Sequence, residues 1–186
     1  MTRFFLTIEY NGKNYVGWQK QLSGISVQQL IEEAIESFCG KKLTIFAAGR
    51  TDSGVHAVGQ VAHVDLPDKF NSERVMLAIN AYLKKTSIKI LNVRKVKPEA
   101  HARFSALWRE YKYTILNRLA PPALREGFVS HQKHRLDIKK IVVASKVLIG
   151  THDFSSFRSK HCQSNNPIKT IDSIQVEEDR DEIVFT

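Results

Sequence analysis

The order of helical and strand patterns over the first 96 residues is the feature that most constrains the fold of this chain. Ser26 and Gln29 have the spacing of a capping box, and apolar residues then recur at helical intervals until Gly40, which predicts a helix between these points. Ser72 begins a second helical pattern. Alternating or apolar runs predict strands at residues 3–10, 43–47, 58–66 and 88–96. The resulting order, strand, helix, strand, strand, helix, strand, is that of a ferredoxin-like (split βαβ) unit with both helices on one face of the sheet.

The pattern begins again in the second half of the chain. Residues 109–117 alternate as a strand, and Asp137 caps a helix that ends before Gly150. Two further strands are predicted at residues 170–177 and 182–185. The apolar positions expected to face inward from this helix are Ile138, Ile141, Val142, Leu148 and Ile149.

A full repeat of the first unit needs one more helix and one more strand than this second pattern supplies. We therefore expect an α+β chain of two ferredoxin-like units with antiparallel sheets, residues 1–105 and residues 106–186. The second unit is expected to be incomplete and the chain to be short at its C-terminal end. An uncovered sheet face would leave an apolar patch exposed.

The charge of the chain indicates a polyanionic partner. The formal net charge is +9 and the sequence pI is about 9.6, with Lys and Arg spread along the chain and aromatic residues among them at 111–113 and 154–158. This composition favours nucleic acid, although a basic enzyme with solvated lysines has the same balance. Residues 1–10 are too short and too polar for a signal sequence, and no run approaches a membrane span, so we expect a cytoplasmic protein.

One short stretch between two predicted strands, residues 48–57, combines a cation, a carboxylate and an imidazole. Arg50, Asp52 and His56 lie there beside Gly49 and Gly54. Tight connections between strands are where catalytic groups are commonly mounted, and a carboxylate kept ionised by a nearby Arg can act as a nucleophile. On spacing alone a plain turn is the preferred explanation, with the Asp52 side chain bonded to nearby backbone and Gly54 at positive φ.

The stretch from Gly49 to Ala57, followed by residues 59–63, resembles the signature of the TruA-type tRNA pseudouridine synthases. Further blocks resemble the same family in the same order: Tyr10-Asn11-Gly12, Gly17-Trp18-Gln19, Val27-Gln28, and residues 102–106, 109–113 and 150–158. The likeness covers nearly the whole chain. One departure lies at residues 83–85, where the family usually has a proline after Leu83.

The resemblance implies an isomerase that converts uridine to pseudouridine at positions 38 to 40 of the tRNA anticodon arm. Asp52 would be the nucleophile, attacking either the uracil ring or C1′ of the ribose. Tyr111 would stack on the target base and assist proton transfer, and Arg50 would pair with Asp52 and support the flipped nucleotide. The reaction is redox-neutral, so no cofactor or metal is expected. The family likeness also implies a homodimer.

Five further residues are expected to contact the RNA substrate. Phosphate contacts come from cations and polar groups that flank the base pocket. The candidates are His56, Gln60, Arg103, Arg109 and Arg158.

Other readings remain. A non-catalytic RNA-binding module is possible on the same fold, although the aromatic ribonucleoprotein motif is absent, and so is an inactive, truncated synthase. A hydrolase built on His152, Asp153 and Ser155, or on Cys162, lacks a nucleophile elbow. His131 with His134, or His161 with Cys162, supplies too few ligands for a metal site. Trp18 is expected in the core rather than stacked on a base.

Overall fold

The structure, a computed structural model, describes residues 1–158 and 166–186. Its contacts divide the chain into two units, Met1–Trp108 and Arg109–Thr186. Helices and mostly antiparallel sheets occur in both units, which confirms the predicted α+β fold class. Within the described ranges, no helix is long and apolar enough to cross a membrane.

The first unit has the predicted order of elements. Its helices are α1, Val27–Cys39, and α2, Ser72–Tyr82. Its strands are β1, Thr2–Tyr10; β2, Phe46–Ala47; β3, Ala57–Leu66; and β4, Ile88–Val96. They form one sheet in the order β2-β3-β1-β4, and every neighbouring pair is antiparallel. This arrangement confirms the ferredoxin-like prediction for the first unit. Short 3₁₀ turns lie at Gly12–Asn14 and Leu83–Lys85.

A single hydrophobic core lies between this sheet and the two helices. The period of two along β1 buries every second side chain, and the helical period buries one stripe of each helix. The buried members are Phe4, Leu6, Ile8 and Tyr10 from β1, Val27, Ile31 and Ile35 from α1, and Val75 and Ile79 from α2. Trp18 is 2% exposed in the same core, which confirms its predicted packing role.

The caps of α1 are largely as predicted. The Ser26 hydroxyl accepts a hydrogen bond from the Gln29 N–H at 3.2 Å, and Gly40 ends the helix at φ 72°. The second half of the predicted capping box is not formed. The Gln29 side chain donates instead to Glu33 at 2.8 Å, because a charged acceptor one turn away makes the stronger bond.

The predicted strand at residues 43–47 is wrong over its first three residues. Only Phe46–Ala47 pairs with β3. The N–H of Ile45 donates to the Glu32 carboxylate of α1 at 3.2 Å, and the Ile45 side chain is buried. The backbone before β2 is therefore bonded to the helix rather than to the sheet.

The described residues of the second unit form one short helix and six short strands. The helix is α3, Ile138–Ser145. The strands are β5, Tyr113–Leu116; β6, Ser130–His131; β7, Gly150–Asp153; β8, Ile168–Ile171; β9, Val176–Asp179; and β10, Glu182–Phe185. One sheet has the order β6-β5-β10-β9, and β7 pairs with β8 separately. Short 3₁₀ turns lie at Lys146–Leu148 and Ser155–Phe157.

Part of the first unit's arrangement recurs in the second. The succession β5, α3, β9, β10 and the strand order β9-β10-β5 match β1, α1, β2, β3 and the order β2-β3-β1. The place beside β5 that corresponds to β4 is held by β6, which has two residues and pairs in parallel. The pair β7–β8 lies in sequence between α3 and β9 and was not predicted as a unit.

Three predictions in the second unit need correction. The strand predicted at residues 109–117 is limited to Tyr113–Leu116. The run 170–177 is divided between β8 and β9, because its first part pairs with β7 and its last part with β10. The helix face expected inward is only half-buried, and Ile149, beyond the 3₁₀ turn, is 40% exposed.

Candidate active site

The loop between β2 and β3 is built around a backbone turn. The N–H of Val55 donates to the carbonyl of Asp52 at 3.2 Å, and Gly54 has φ of 79°. A positive φ favours glycine because it has no Cβ to clash. The turn predicted for this stretch is therefore present in the backbone.

The Asp52 carboxylate takes no part in closing that turn. The side chain is exposed, and among the described residues it makes no hydrogen bond and no ion pair. The simple-turn interpretation required this carboxylate to bond to nearby backbone. The carboxylate is instead available to a substrate. Arg50 is exposed as well and, within the described ranges, makes no ion pair with this carboxylate, so the predicted pairing is not observed here.

The residue before Asp52 is held at two of its atoms. The Thr51 hydroxyl and the Tyr10 hydroxyl are 2.8 Å apart, and the Thr51 carbonyl accepts the N–H of Trp18 at 3.0 Å. Tyr10 ends β1, and Trp18 belongs to the loop before α1. The position of the loop at residues 48–57 is thus set by a segment some forty residues earlier.

Two glycines of that earlier segment allow the loop to approach closely. A Cβ on Gly12 would lie 2.0 Å from the carbonyl oxygen of Val55. Gly17 has φ of 110°, and a Cβ there would lie 2.6 Å from the carbonyl oxygen of Thr51. Any side chain at either position would displace the backbone that carries Asp52.

His56 also fixes this contact. Its Nδ1 accepts the N–H of Gly12 at 3.1 Å. An acceptor at Nδ1 requires a lone pair there, so the ring carries its proton on Nε2. The predicted RNA contact of His56 stays a prediction, and the structure adds a second role in joining the loop to Gly12.

Gln60 helps to hold the backbone of the loop at residues 48–57. Its side-chain N–H donates to the Gly49 carbonyl at 2.8 Å, and its oxygen accepts the N–H of Val61 at 3.2 Å. Burial raises the pKa of the nearby Tyr10 above its ordinary value of 10.0, and the hydrogen bond to Thr51 only partly opposes this effect. The Tyr10 hydroxyl is therefore protonated at neutral pH.

A buried histidine on β3 connects β2 to the turn that carries Arg103. His63 is 3% exposed, and its Nδ1 accepts the N–H of Ala102 at 3.2 Å. Its ring stacks on Phe46 with centroids 5.2 Å apart and meets His101 at 4.5 Å. The strand that enters the loop at residues 48–57 and the Arg103 turn are thereby joined through one imidazole.

The charge state of His63 follows from this environment. Burial lowers its pKa below 6.5, and the positive charges of His101 and Arg3 act in the same direction, while Asp65 opposes them. Asp65 is itself bound by Arg3 through two hydrogen bonds of 2.8 Å, which lower the pKa of the carboxyl group. His63 is consequently neutral at pH 7.

The remaining predicted site residues belong to the second unit. Tyr111 lies before β5 and is 72% exposed. Arg109 and Arg158 are exposed as well. Their roles as stacking or phosphate-binding residues stay predictions.

The groups considered for hydrolysis or metal binding are bonded to backbone. His152 Nε2 lies 2.9 Å from the Ile149 carbonyl oxygen, and the Asp153 carboxylate accepts the N–H of Ser155 at 2.8 Å. His131 Nε2 lies 2.8 Å from the Arg118 carbonyl oxygen. In the part of the chain that the structure describes, no group of three or more potential ligands gathers. His161 and Cys162 lie outside the described residues.

Sequence reasoning proposed Asp52 as a site residue but did not predict which residues hold its loop. Tyr10, Gly12 and Gly17 belong to the blocks that resemble the family, yet nothing in their own spacing indicates contact with residues 51–55. Contacts between segments that are distant in sequence carry no local periodic signal. The alternating pattern of the predicted strand at residues 58–66 likewise gave no indication that His63 bridges to the Ala102 backbone.

Comparison with known proteins shows the family of the chain. The family model described as tRNA pseudouridine synthase matches residues 6–105 and 144–186. Proteins named tRNA pseudouridine synthase A are similar over nearly the whole chain: that of Rhodospirillum rubrum is 46% identical over 98% of this chain and 66% of its own length. That of Wolbachia pipientis wMel is 51% identical over 94% of this chain and 71% of its own length. That of Caulobacter vibrioides is 48% identical over 98% of this chain and 74% of its own length.

The chain spans about two thirds to three quarters of the length of these relatives. The matched residues include both the loop that carries Asp52 and the segment that supports it. The chain belongs to the tRNA pseudouridine synthase family.

Proposed function

We propose that this protein isomerises uridine to pseudouridine in tRNA and that Asp52 is its nucleophile. The observation that carries the proposal is the Asp52 side chain, which is exposed and uncommitted on a loop whose backbone is held by Tyr10, Gly12 and Trp18. A carboxylate that has no structural partner and lies on a rigid support is suited to attack a bound substrate. The names of the relatives support tRNA as the substrate class.

The chemistry requires no external oxidant or reductant. The bond from N1 of uracil to C1′ of ribose breaks, a bond from C5 to C1′ forms, C5 loses a proton and N1 gains one. A nucleophilic carboxylate can form a temporary bond either to the base or to C1′ while the base turns over. Both routes need the Asp52 side chain to be ionised and pointed at the target nucleotide.

The substrate nucleotide has to leave its stack to reach Asp52. Turning a base out costs a few kcal/mol, which contacts to the extruded nucleotide offset. We assign base stacking and proton transfer to Tyr111 and support of the flipped nucleotide to Arg50, and we expect phosphate contacts from Arg103, Arg109 and Arg158. The net charge of +9 supports this use of the basic side chains.

The finer features are part of the proposal. The target uridines are those at positions 38 to 40 of the anticodon arm, the protein works in the cytoplasm, and it acts as a homodimer. Light scattering after size exclusion measures the dimer, and mapping of pseudouridine in a tRNA transcript identifies the modified positions.

The decisive experiment compares Asp52→Asn with Asp137→Asn in the full chain on unmodified tRNA. Asp137 is an exposed N-cap whose carboxylate accepts the N–H of Lys140, and Asn caps helices equally well. This control therefore removes a charge and an exposed ion pair with Lys140 but keeps the cap. We expect Asp52→Asn to lose about 1,000-fold or more of the turnover while tRNA binding stays within about twofold. We expect Asp137→Asn to keep its turnover.

Two results would contradict the proposal. Turnover by Asp52→Asn within about tenfold of the unaltered chain would remove the nucleophile assignment, because loss of a covalent catalyst costs far more. Tight tRNA binding by the unaltered chain without any pseudouridine would indicate an RNA-binding protein or an inactive synthase.

A further inference from the structure

We infer that Tyr10 is a positioning residue of the catalytic loop, and that its buried hydroxyl orients Asp52 by holding Thr51. The inference rests on the proposed function of Asp52 and concerns the same site. Tyr10 itself is buried and does not touch the substrate.

The hydroxyl of Tyr10 is placed for this purpose by the sheet. Tyr10 is the last residue of β1 and is 2% exposed, so its ring has one position in the core. The hydroxyl lies 2.8 Å from the Thr51 hydroxyl, and the Thr51 carbonyl accepts the N–H of Trp18 at 3.0 Å. Thr51 is thus held at its side chain and at its backbone, and Asp52 is the next residue.

The other end of the Arg50-Thr51-Asp52 stretch is held from β3. Gln60 donates to the carbonyl of Gly49 at 2.8 Å. The residues on both sides of Arg50 are therefore held, Gly49 by Gln60 and Thr51 by Tyr10 and Trp18. The backbone from which Arg50 and Asp52 project has little freedom to rotate.

Asp52 needs such a support because its own side chain has none. Within the described residues its carboxylate makes no hydrogen bond or ion pair that would fix its direction. The direction of the carboxylate depends on the backbone, and the backbone depends on Thr51. Misplacement of a reacting group by about 1 Å can cost about 100-fold in rate.

A purely structural role for Tyr10 would depend on its ring rather than on its hydroxyl. The ring packs against Trp18 with centroids 6.1 Å apart and lies in the core with β1 and the helices. Phenylalanine keeps this packing and removes only the oxygen. Burial keeps the hydroxyl protonated, because it raises the pKa of Tyr10, so the group is a neutral hydrogen-bonding partner at any working pH.

The test compares Tyr10→Phe with Tyr15→Phe. Tyr15 is a matched control because it is 8% exposed and its hydroxyl also has partners, the N–H and hydroxyl of Ser87 at 3.2 and 3.1 Å. The Tyr15 carbonyl, which accepts the N–H of Gly54, is retained in the variant. Both variants lose one buried hydroxyl, but only Tyr10→Phe loses a side-chain bond to the catalytic loop.

The first readout is the single-turnover rate with unmodified tRNA, together with the Kd for tRNA. We expect Tyr10→Phe to lower the rate about 10- to 100-fold with a Kd within twofold, and Tyr15→Phe to lower it less than threefold. Thr51→Val should show a similar loss, the double variant Tyr10→Phe/Thr51→Val no further loss, and Thr51→Ser a rate near that of the unaltered chain.

The second readout needs no activity. Hydrogen exchange is measured at the amides of Trp18 and Val55, which donate to Thr51 and Asp52 respectively. We expect faster exchange at both amides in Tyr10→Phe and unchanged exchange in Tyr15→Phe. If the unaltered chain makes no pseudouridine, the proposed function fails while this measurement still decides the inference. Unchanged amide exchange in Tyr10→Phe overturns the inference. If the unaltered chain is active, a single-turnover rate of Tyr10→Phe equal to that of Tyr15→Phe also overturns it.

Discussion

Replacement of Gly12 by alanine should lower the turnover, because the added Cβ would clash with the loop that carries Asp52. Gly12 is buried and does not have a positive φ, so its backbone accommodates alanine without strain. The only obstacle is contact. The added Cβ would lie 2.0 Å from the Val55 carbonyl oxygen and 2.6 Å from its carbonyl carbon.

The size of the effect follows from these distances. Ordinary contact with a Cβ begins at 3.4 Å, so Val55 and Gly12 must separate by roughly 1.4 Å, the difference between 3.4 Å and 2.0 Å. Val55 donates its N–H to Asp52, so the shift reaches the nucleophile through one hydrogen bond. We expect a loss of about 100-fold in turnover and of about 1–3 kcal/mol in the free energy of unfolding.

The variant Gly40→Ala is a control that should lose a similar free energy of unfolding to Gly12→Ala. Gly40 caps α1 at φ 72° and has no atom within 4 Å of an added Cβ, so alanine there costs about 1–2 kcal/mol through backbone strain alone. The assay is single-turnover conversion of unmodified tRNA at 25 °C, with urea unfolding of each variant. Rates for Gly12→Ala within threefold of Gly40→Ala would show that the close approach of Gly12 does not set the loop.

Three other predictions concern stability and substrate binding. Lowering the pH below about 6.5 should reduce the free energy of unfolding, because burial lowers the pKa of His63 in the folded chain and the unfolded chain takes up the proton first. Urea unfolding at several pH values measures this, and the free energy of unfolding should depend less steeply on pH in His63→Gln. Ser26→Ala should lower the free energy of unfolding by about 1 kcal/mol with little change in turnover, since it removes only the bond to the Gln29 N–H. Tyr111→Ala should weaken substrate engagement by about 1–3 kcal/mol, the value of one stacked base, and Tyr113→Ala, measured in the same assay, should not.

The parts of the fold that were predicted from the sequence are those fixed by local signals. The helix from Ser26 to Gly40 has a cap at each end and an apolar stripe between them, and its observed bounds agree with the pattern. The strand Ile88–Val96 was predicted at its observed ends. Such signals depend on residues within one or two turns of each other, so a single sequence contains them.

The parts that were missed depend on which distant segment a residue meets. Ile45 is β-branched and favours a strand, but its N–H donates to the Glu32 carboxylate of α1 and not to β3. Residues 170–177 read as one strand because nothing local marks the point where pairing passes from β7 to β10. Pairing partners are a tertiary property and override propensity.

The candidate site divides along the same line. Asp52 was proposed because it lies in a dense local motif. The turn interpretation was right about the backbone and wrong about the partner of the Asp52 carboxylate. Both points depend on three-dimensional contacts: Val55 closes the turn with its backbone N–H, and the described residues offer the carboxylate no partner.

The support of the loop explains why its motif is accompanied by others so far away in the chain. The Asp52 loop lacks a side-chain bond at its reactive residue, so its position must come from backbone contacts made by another segment. Backbone can approach backbone this closely only where side chains are absent, which accounts for Gly12 and Gly17 beneath Val55 and Thr51. Tyr10 then supplies a hydroxyl from a strand end that cannot move without disturbing the core. A loop of this kind placed on another sheet, without the segment from Tyr10 to Trp18, would retain the sequence of the motif but not the direction of its carboxylate.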